Sequence, residues 1–285
     1  MRLRTWVCPA VSRSRLLLGL GPVALSLTTA SYPLTAQTPT ELKQEREEFA
    51  AWLAASPISP LAAVAQQPVG PGVTLGPEGA DIPIPGVPDA RVTEEKGTLF
   101  LSGGKERARL ARGRQARLGT HTLLAVGRAG RTILAVYGPT RAHTVPAYYP
   151  YDPELVITAP LEAPEHRGRF RTLAIDGIET DAVEAGFFPV RLDGGHTRLR
   201  VYQIPDPETG ALDLTIYFRD QTNGKGSYPA GRFVNLQPTA EGQYRLDFNR
   251  ARNPFCAYST VYPCPAPWPG NTIPAELRVG EKYGG

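Results

Sequence analysis

The spacing of hydrophobic positions changes once along this chain, from helical to alternating. Thr38-Pro39-Thr40-Glu41 reads as a helix start: Thr38 as the cap, Pro39 at the first helical position and Glu41 closing a capping box. Leu42, Phe49 and Leu53 then recur on one face with Trp52 at its flank, while Lys43 and Glu47 pair four apart elsewhere. The helix should stop before Ser56-Pro57, because the residue preceding a proline disfavours helical angles. A single amphipathic helix of this kind docks on something larger, and a flexible Ala/Pro-rich stretch is expected to follow it as far as Gly72.

Beyond that the pattern is β. Short strands are predicted at 98–101, 122–126, 132–137, 155–158, 169–175, 187–192 and 197–204, separated by turns containing glycine or proline. Asp193-Gly194-Gly195 marks a hairpin between two of them. The segment 212–218 alternates strictly and should bury one face, fed by the turn Asp206-Pro207-Glu208-Thr209-Gly210. Tyr244, Leu246 and Phe248 alternate with Arg245, Asp247 and Asn249, which predicts another two-faced strand. No alternation of strands with helices is present, so the fold class is all-β with one N-terminal helix. The Tyr/Pro-rich junction at 147–153 separates two lobes, and its Tyr148, Tyr149 and Tyr151 either pack that junction or form a stacking ledge for carbohydrate.

Composition changes the picture mainly at the N-terminus. The chain has 285 residues, with 31 Lys+Arg against 27 Asp+Glu, a net charge of +4. Arg2, Arg4, Arg13 and Arg15 precede a short apolar run, 16–25, and then small residues to Ala30 and Ala36. That is the pattern of a secretory signal peptide, with cleavage after Ala36 favoured over Ala30. The run is too short to span about 30 Å of hydrocarbon. With those four arginines removed, 27 basic residues face 27 acidic ones, so the excess positive charge that nucleic-acid binding requires is gone. The expected mature protein is secreted or periplasmic, carries no integral membrane segment and has no nucleic-acid partner. One local basic run remains, 105–117, expected as a solvated cationic face or a contact for an envelope polyanion. Nothing in the sequence sets an oligomeric state.

Chemistry-bearing residues are densest in the last third. Asp247 and Asn249 are expected on one face of one strand, Arg219 and Asp220 where a buried strand meets a glycine-rich loop, and Lys225 at the tip of that loop. Tyr228 and Arg232 bracket Pro229-Ala230-Gly231, and Asn253 follows. Such a set can hold an anionic or polyhydroxylated molecule, with Arg232 as a fork for carboxylate or phosphate. Read as a catalyst, Asp247 would be a general base and Arg232 an oxyanion or phosphate stabiliser. Read as structure, the same groups satisfy loop backbone and pair with one another. Cys256 and Cys264 are the only cysteines beyond Cys8; a disulfide is favoured over free thiols or a metal site. His121, His143, His166 and His196 match no ligand spacing, and Gly103-Gly104-Lys105 is not a phosphate loop. No metal and no cofactor is expected.

The segments FRDQTNGKGSYPAGRF, LDFNRARNPFCAY, CPAPWPGN and the closing VGEK resemble the signature of an uncharacterised family, domain of unknown function 1684. The resemblance covers Tyr217 to Lys282 and extends loosely back through VTLGPEGADIPIP; Arg252, Phe255 and Trp268 depart from the family pattern. It implies a shared fold and shared special positions, and no reaction. The glycine-turn segment before Asp81 is similar, at the level of fold alone, to forkhead-associated β-sandwiches. Their phosphothreonine-reading signature, Ser-Arg…His with Asn-Gly, does not accompany it, so phosphopeptide binding is not carried over. The expected order is a signal peptide (1–36), helix and linker (37–62), a small forkhead-associated-like sandwich (63–145) and a larger sandwich or barrel-like lobe (146–285). The expected function is binding of a small polar or anionic ligand or envelope component, at a site between the lobes near Asp220, Arg232, Asp247 and Asn249. A metal-independent hydrolase built on Asp247 and Arg232, or a structural or accessory interaction protein, are the alternatives.

Overall fold

In the computed structural model the described residues are 37–139, 144–166, 168–192, 195–205, 211–239 and 242–284. The expected signal peptide, His143 and the turns at 193–194 and 206–210 lie outside them. The architecture is all-β with one N-terminal α-helix.

Helix α1 (Thr40–Ala55) buries Leu42, Phe49 and Leu53 and ends at Ser56, which is extended (φ −62°, ψ 132°) ahead of Pro57. Its start differs from the expectation. Pro39, at φ −54° and ψ 141°, occupies the cap position, and no side chain caps the helix. Sixteen residues are marginal as an isolated helix, so its stability comes from docking. Three buried apolar side chains contribute about 1.5–3 kcal/mol each. Phe49 stacks beside Trp52 and meets Tyr258 edge-on, which places α1 against the second lobe.

The first lobe is a sandwich of two sheets. One has the order β1-β9-β8-β7, from β1 (Ala63–Pro68), β7 (Gln115–Leu118), β8 (His121–Arg128) and β9 (Arg131–Tyr137). The other has the order β3-β2-β4-β5-β6, from β2 (Val73–Gly76), β3 (Ile82–Pro83), β4 (Ala90–Glu95), β5 (Thr98–Gly103) and β6 (Glu106–Leu110). Val73, Leu75, Val92 and Leu99 from one sheet pack on Leu123, Ala125, Leu134 and Val136 from the other. The stretch expected to be a flexible linker is therefore partly strand. Ala63-Val64-Ala65-Gln66-Gln67 shows no alternation, yet β9 supplies an antiparallel partner along it, with a register shift at Val64. The basic run 105–117 forms β6 and β7, with Arg107 and Arg109 solvent-exposed.

The second lobe is a five-stranded antiparallel meander, β11-β12-β13-β14-β15, faced by a three-stranded sheet, β10-β17-β16. Its strands are β10 (Val156–Pro160), β11 (Arg169–Leu173), β12 (Glu179–Leu192), β13 (Gly195–Pro205), β14 (Leu212–Phe218), β15 (Arg232–Asn235), β16 (Gln237–Pro238) and β17 (Gln243–Asp247). Phe188, Leu199, Val201, Ile216 and Phe218 face Leu246 and Phe248 across the main core, which Ile273, Leu277 and Val279 close. The other face of the meander carries Tyr202, Tyr217, Phe233, Phe255, Tyr262 and Trp268. The junction tyrosines turn toward the C-terminal segment: Tyr148 bridges Glu281, and the amide N–H of Tyr149 bonds the Gly280 carbonyl. No helix among the described residues is long and apolar enough to cross a membrane.

Candidate functional site

The signature residues assemble into buried polar knots. Arg232 opens β15 opposite Phe218, and its side chain is fully enclosed. One guanidinium nitrogen donates to Asp220 Oδ2 at 2.8 Å and to the Leu277 carbonyl at 2.9 Å; the other donates to the Val279 carbonyl at 2.5 Å. Leu277 and Val279 stand two apart on one extended segment, so a single side chain pins that segment to the sheet. Asp220 Oδ1 accepts from the Thr222 amide, the Thr222 hydroxyl and the Leu277 amide. The chain can pass this close only because residue 231 is glycine. It sits at φ +117°, and a Cβ there would lie 2.7 Å from the Phe218 carbonyl oxygen. With every Asp220 contact inside the protein, Arg232 is a clamp on backbone rather than a fork presented to solvent.

The second knot corrects one expectation. β17 ends at Asp247, and 248–250 turns as a short 3-10 helix, so Asp247 and Asn249 are not two positions of one strand. They meet nonetheless, because Asp247 caps that turn: its Oδ1 accepts from the Asn249 amide at 3.0 Å and from Asn249 Nδ2 at 2.9 Å. Arg245 and Arg250 pair with its other oxygen. The Asn249 amide in turn reproduces a strand pair, accepting from the Asp152 N–H and donating to the Asp152 carbonyl, both at 2.8 Å. Asn271 does the same for Arg200, at 2.7 and 2.9 Å.

A third knot lies under the last residues. The carboxylate of Glu281 accepts from the Tyr258 hydroxyl and, at 2.9 Å, from the Asn253 amide, while Asn253 Nδ2 donates to the Lys282 carbonyl. Burial pushes the Glu281 carboxyl up to about 7, against the lowering effect of those donors and Arg252, and burial raises the Tyr258 hydroxyl further still. Cys256 and Cys264 form a disulfide with Cα atoms 5.5 Å apart, and the Tyr228 hydroxyl touches both sulfurs, at 3.3 and 3.2 Å. Lys225 and Arg219 are exposed at the surface of the loop.

Of the eight candidates, Asn249 alone lines one of the three main clefts among the described residues. The clefts lie elsewhere. Two adjoining cavities of about 340 and 420 Å³ separate the outer face of β8–β9 from the β11–β12 hairpin, and share Gln66, Arg128, Arg171, Ile178 and Glu179. Leu124, Val126, Tyr137 and Tyr262 give the first an apolar and aromatic wall, to which α1 adds Trp52. Burial raises the Tyr137 hydroxyl to about 12, so it stays protonated. Contacts that cross the gap include Gln66 Nε2 donating to the Asp176 carbonyl at 3.2 Å and Arg131 pairing with Glu179 at 3.1 Å. Arg171 pairs with the same Glu179 at 2.8 Å. Gln66 Oε1 and Arg171 Nε are both buried without a hydrogen-bond partner. Sequence reasoning missed these residues. Gln66 sits in a run without alternation, and Arg171 reads as an ordinary strand position; the one available signal was an Arg between Phe170 and Leu173 in a predicted strand. No group of three His, Cys, Asp or Glu able to hold a metal occurs among the described residues.

Residues 142–282 match the family described as "Protein of unknown function (DUF1684)". No curated protein matches the chain. Among solved structures, an uncharacterized protein of Haloarcula marismortui, determined in solution by NMR, is 28% identical; the match covers 49% of this chain and 76% of that one, with a TM-score of 0.41.

Proposed function

We propose that this chain, whose residues 142–282 belong to that family of unknown function, is an exported protein that binds a small polar or anionic ligand in the cleft between its lobes. The observation that carries the reading is the pair of buried polar atoms, Gln66 Oε1 and Arg171 Nε, left without protein partners on the walls they share. A buried polar group without a partner costs about 1–3 kcal/mol. A ligand that gives an O–H or N–H to Gln66 and an acceptor oxygen to Arg171 removes both costs at once. Tyr137, Tyr262 and Trp52 then offer rings against which an apolar or sugar-like face can lie, and exposed Arg128 at the rim favours negative charge. Cavities of this size suit metabolite-sized molecules.

Export rests on the basic, apolar and small-residue pattern of residues 1–36. For the hydrolase alternative, the structure supplies Asp247 with three protein partners and Arg232 with no opening. The reading is tested by thermal-shift measurements on residues 37–285 with N-acetylglucosamine, glucose 6-phosphate and citrate. A binder at 100 times its Kd adds about 2.7 kcal/mol. That shift should vanish in Gln66→Leu and Arg171→Met. Retention of the shift in both variants, or absence of any shift across the panel, would sink the proposal.

A further inference from the structure

A second cleft, which shares Trp52 with the one between the lobes, lies where α1 crosses the second lobe and measures about 430 Å³. Its defining residue is Arg46. With Leu42, Phe49 and Leu53 it completes the docking stripe of α1, at spacings of four, three and four, so a cation stands on the face that the helix buries. Arg46 is half-buried there, so part of its charge stays hydrated while its inner atoms need protein partners. The guanidinium stacks 4.2 Å from the centre of the Tyr148 ring and donates Nη2 to the Asn249 carbonyl at 3.0 Å. Its Nε is buried with no partner, and no carboxylate lies within ion-pair distance of it among the described residues. The neighbouring Arg250 differs: Glu41, Glu45 and Asp247 hold it. Burial lowers the pKa of Arg46, and Arg250 adds to that, against the raising effect of Tyr148, Asp247 and Glu45.

From the unpartnered Nε, the absence of an ion pair to Arg46 among the described residues and the aromatic walls of Phe49, Trp52 and Phe233, we propose that this cleft is a binding site for an organic carboxylate with a flat apolar body. One carboxylate oxygen accepts from Arg46 Nε, and the body lies along the rings. A singly charged carboxylate fits the one remaining donor better than a phosphate monoester needing a second free cation, because Arg250 and Arg252, the other cations of the cleft, already have partners.

Benzoate and its neutral analogue benzamide separate charge recognition from ring stacking. Titration calorimetry on residues 37–285 should show benzoate binding at least tenfold tighter than benzamide. Arg46→Gln should erase that preference, and Arg171→Met, in the other cleft, should leave it intact. Because Arg46 also helps to dock α1, Gln237→Trp provides a second route: it fills the cleft from β16 while leaving Arg46 itself in place, and should reduce benzoate affinity at least tenfold. Equal affinity for the two probes, no benzoate binding, unchanged preference in Arg46→Gln, or full affinity in Gln237→Trp would each overturn the assignment. Loss in Arg171→Met with retention in Arg46→Gln would move benzoate to the inter-lobe cleft and overturn it as well.

Discussion

Replacing Arg232 by methionine tests whether the signature is a clamp. The substitution keeps an unbranched side chain in the core but removes the partner of Asp220 and the donors to the Leu277 and Val279 carbonyls. Breaking one side of a buried ion pair costs about 3–5 kcal/mol, because the remaining charge stays buried. Asp220 keeps its three other donors, so the lower half of that range applies to its carboxylate. The two stranded carbonyls restore the balance toward the upper half. For a unit of this size, each kcal/mol moves Tm by about 2–4 °C, giving a fall of about 6–20 °C in a circular-dichroism melt. Asp220→Asn and the double variant complete a cycle, whose coupling should exceed about 1 kcal/mol. A loss below 1 kcal/mol with no coupling would refute the clamp. So would a variant of normal stability that had lost ligand-induced shifts, since that would make Arg232 a binding residue.

Other perturbations bear on neighbouring parts of the account. Glu281 titrates near 7 in the fold against an ordinary 4.5, so the folded state holds a proton that the unfolded chain releases between those values. Its contribution is full below about pH 4.5 and is lost as pH rises through 7, a decline of about 3 kcal/mol. Glu281→Gln should flatten that slope in denaturant titrations run from pH 5 to 8; an unchanged slope contradicts the assignment. Reducing Cys256–Cys264, or replacing both by serine, should cost about 2.5 kcal/mol in urea melts, the chain-entropy value for so short a loop; no change would mean that the thiols are free. Gly280→Ala should cost at least about 2 kcal/mol by the same melts, because the residue sits at φ +72° and a Cβ would lie 2.7 Å from the Ala251 carbonyl oxygen. A neutral result would exclude that backbone conformation.

The elements with strong periodicity were legible in the sequence. The stripe of α1, the proline stop at Pro57 and the cysteine pair stand as expected, whereas 212–218 is a strand as expected but buries both faces over 215–218, because the aromatic cluster covers the side opposite the main core. β1 was not legible, because Ala-Val-Ala-Gln-Gln becomes a strand only through pairing with β9. Asp247 and Asn249 were rightly placed together, but for the wrong reason. Alternation suggested one strand, whereas a side-chain cap draws Asn249 back onto Asp247. Density of Asp, Asn and Arg pointed to a site and found the clamps instead. Residue type cannot distinguish a guanidinium facing solvent from one facing a buried carboxylate and backbone carbonyls. The clefts stayed hidden for a related reason: their residues come from β1, β9, β11 and α1, far apart in sequence, and only packing brings them together.

The central claim is that the inter-lobe cleft takes a ligand through Gln66 and Arg171, and nitrogen-15 NMR of their side chains reads it directly. The Gln66 Nε2 and Arg171 Nε–H signals should move together and saturably as N-acetylglucosamine, glucose 6-phosphate or citrate is added, with backbone shifts confined to β1, β9 and the β11–β12 hairpin. If all three leave both side-chain signals in place, or if shifts gather at the Asp220–Arg232 loop instead, the claim is contradicted.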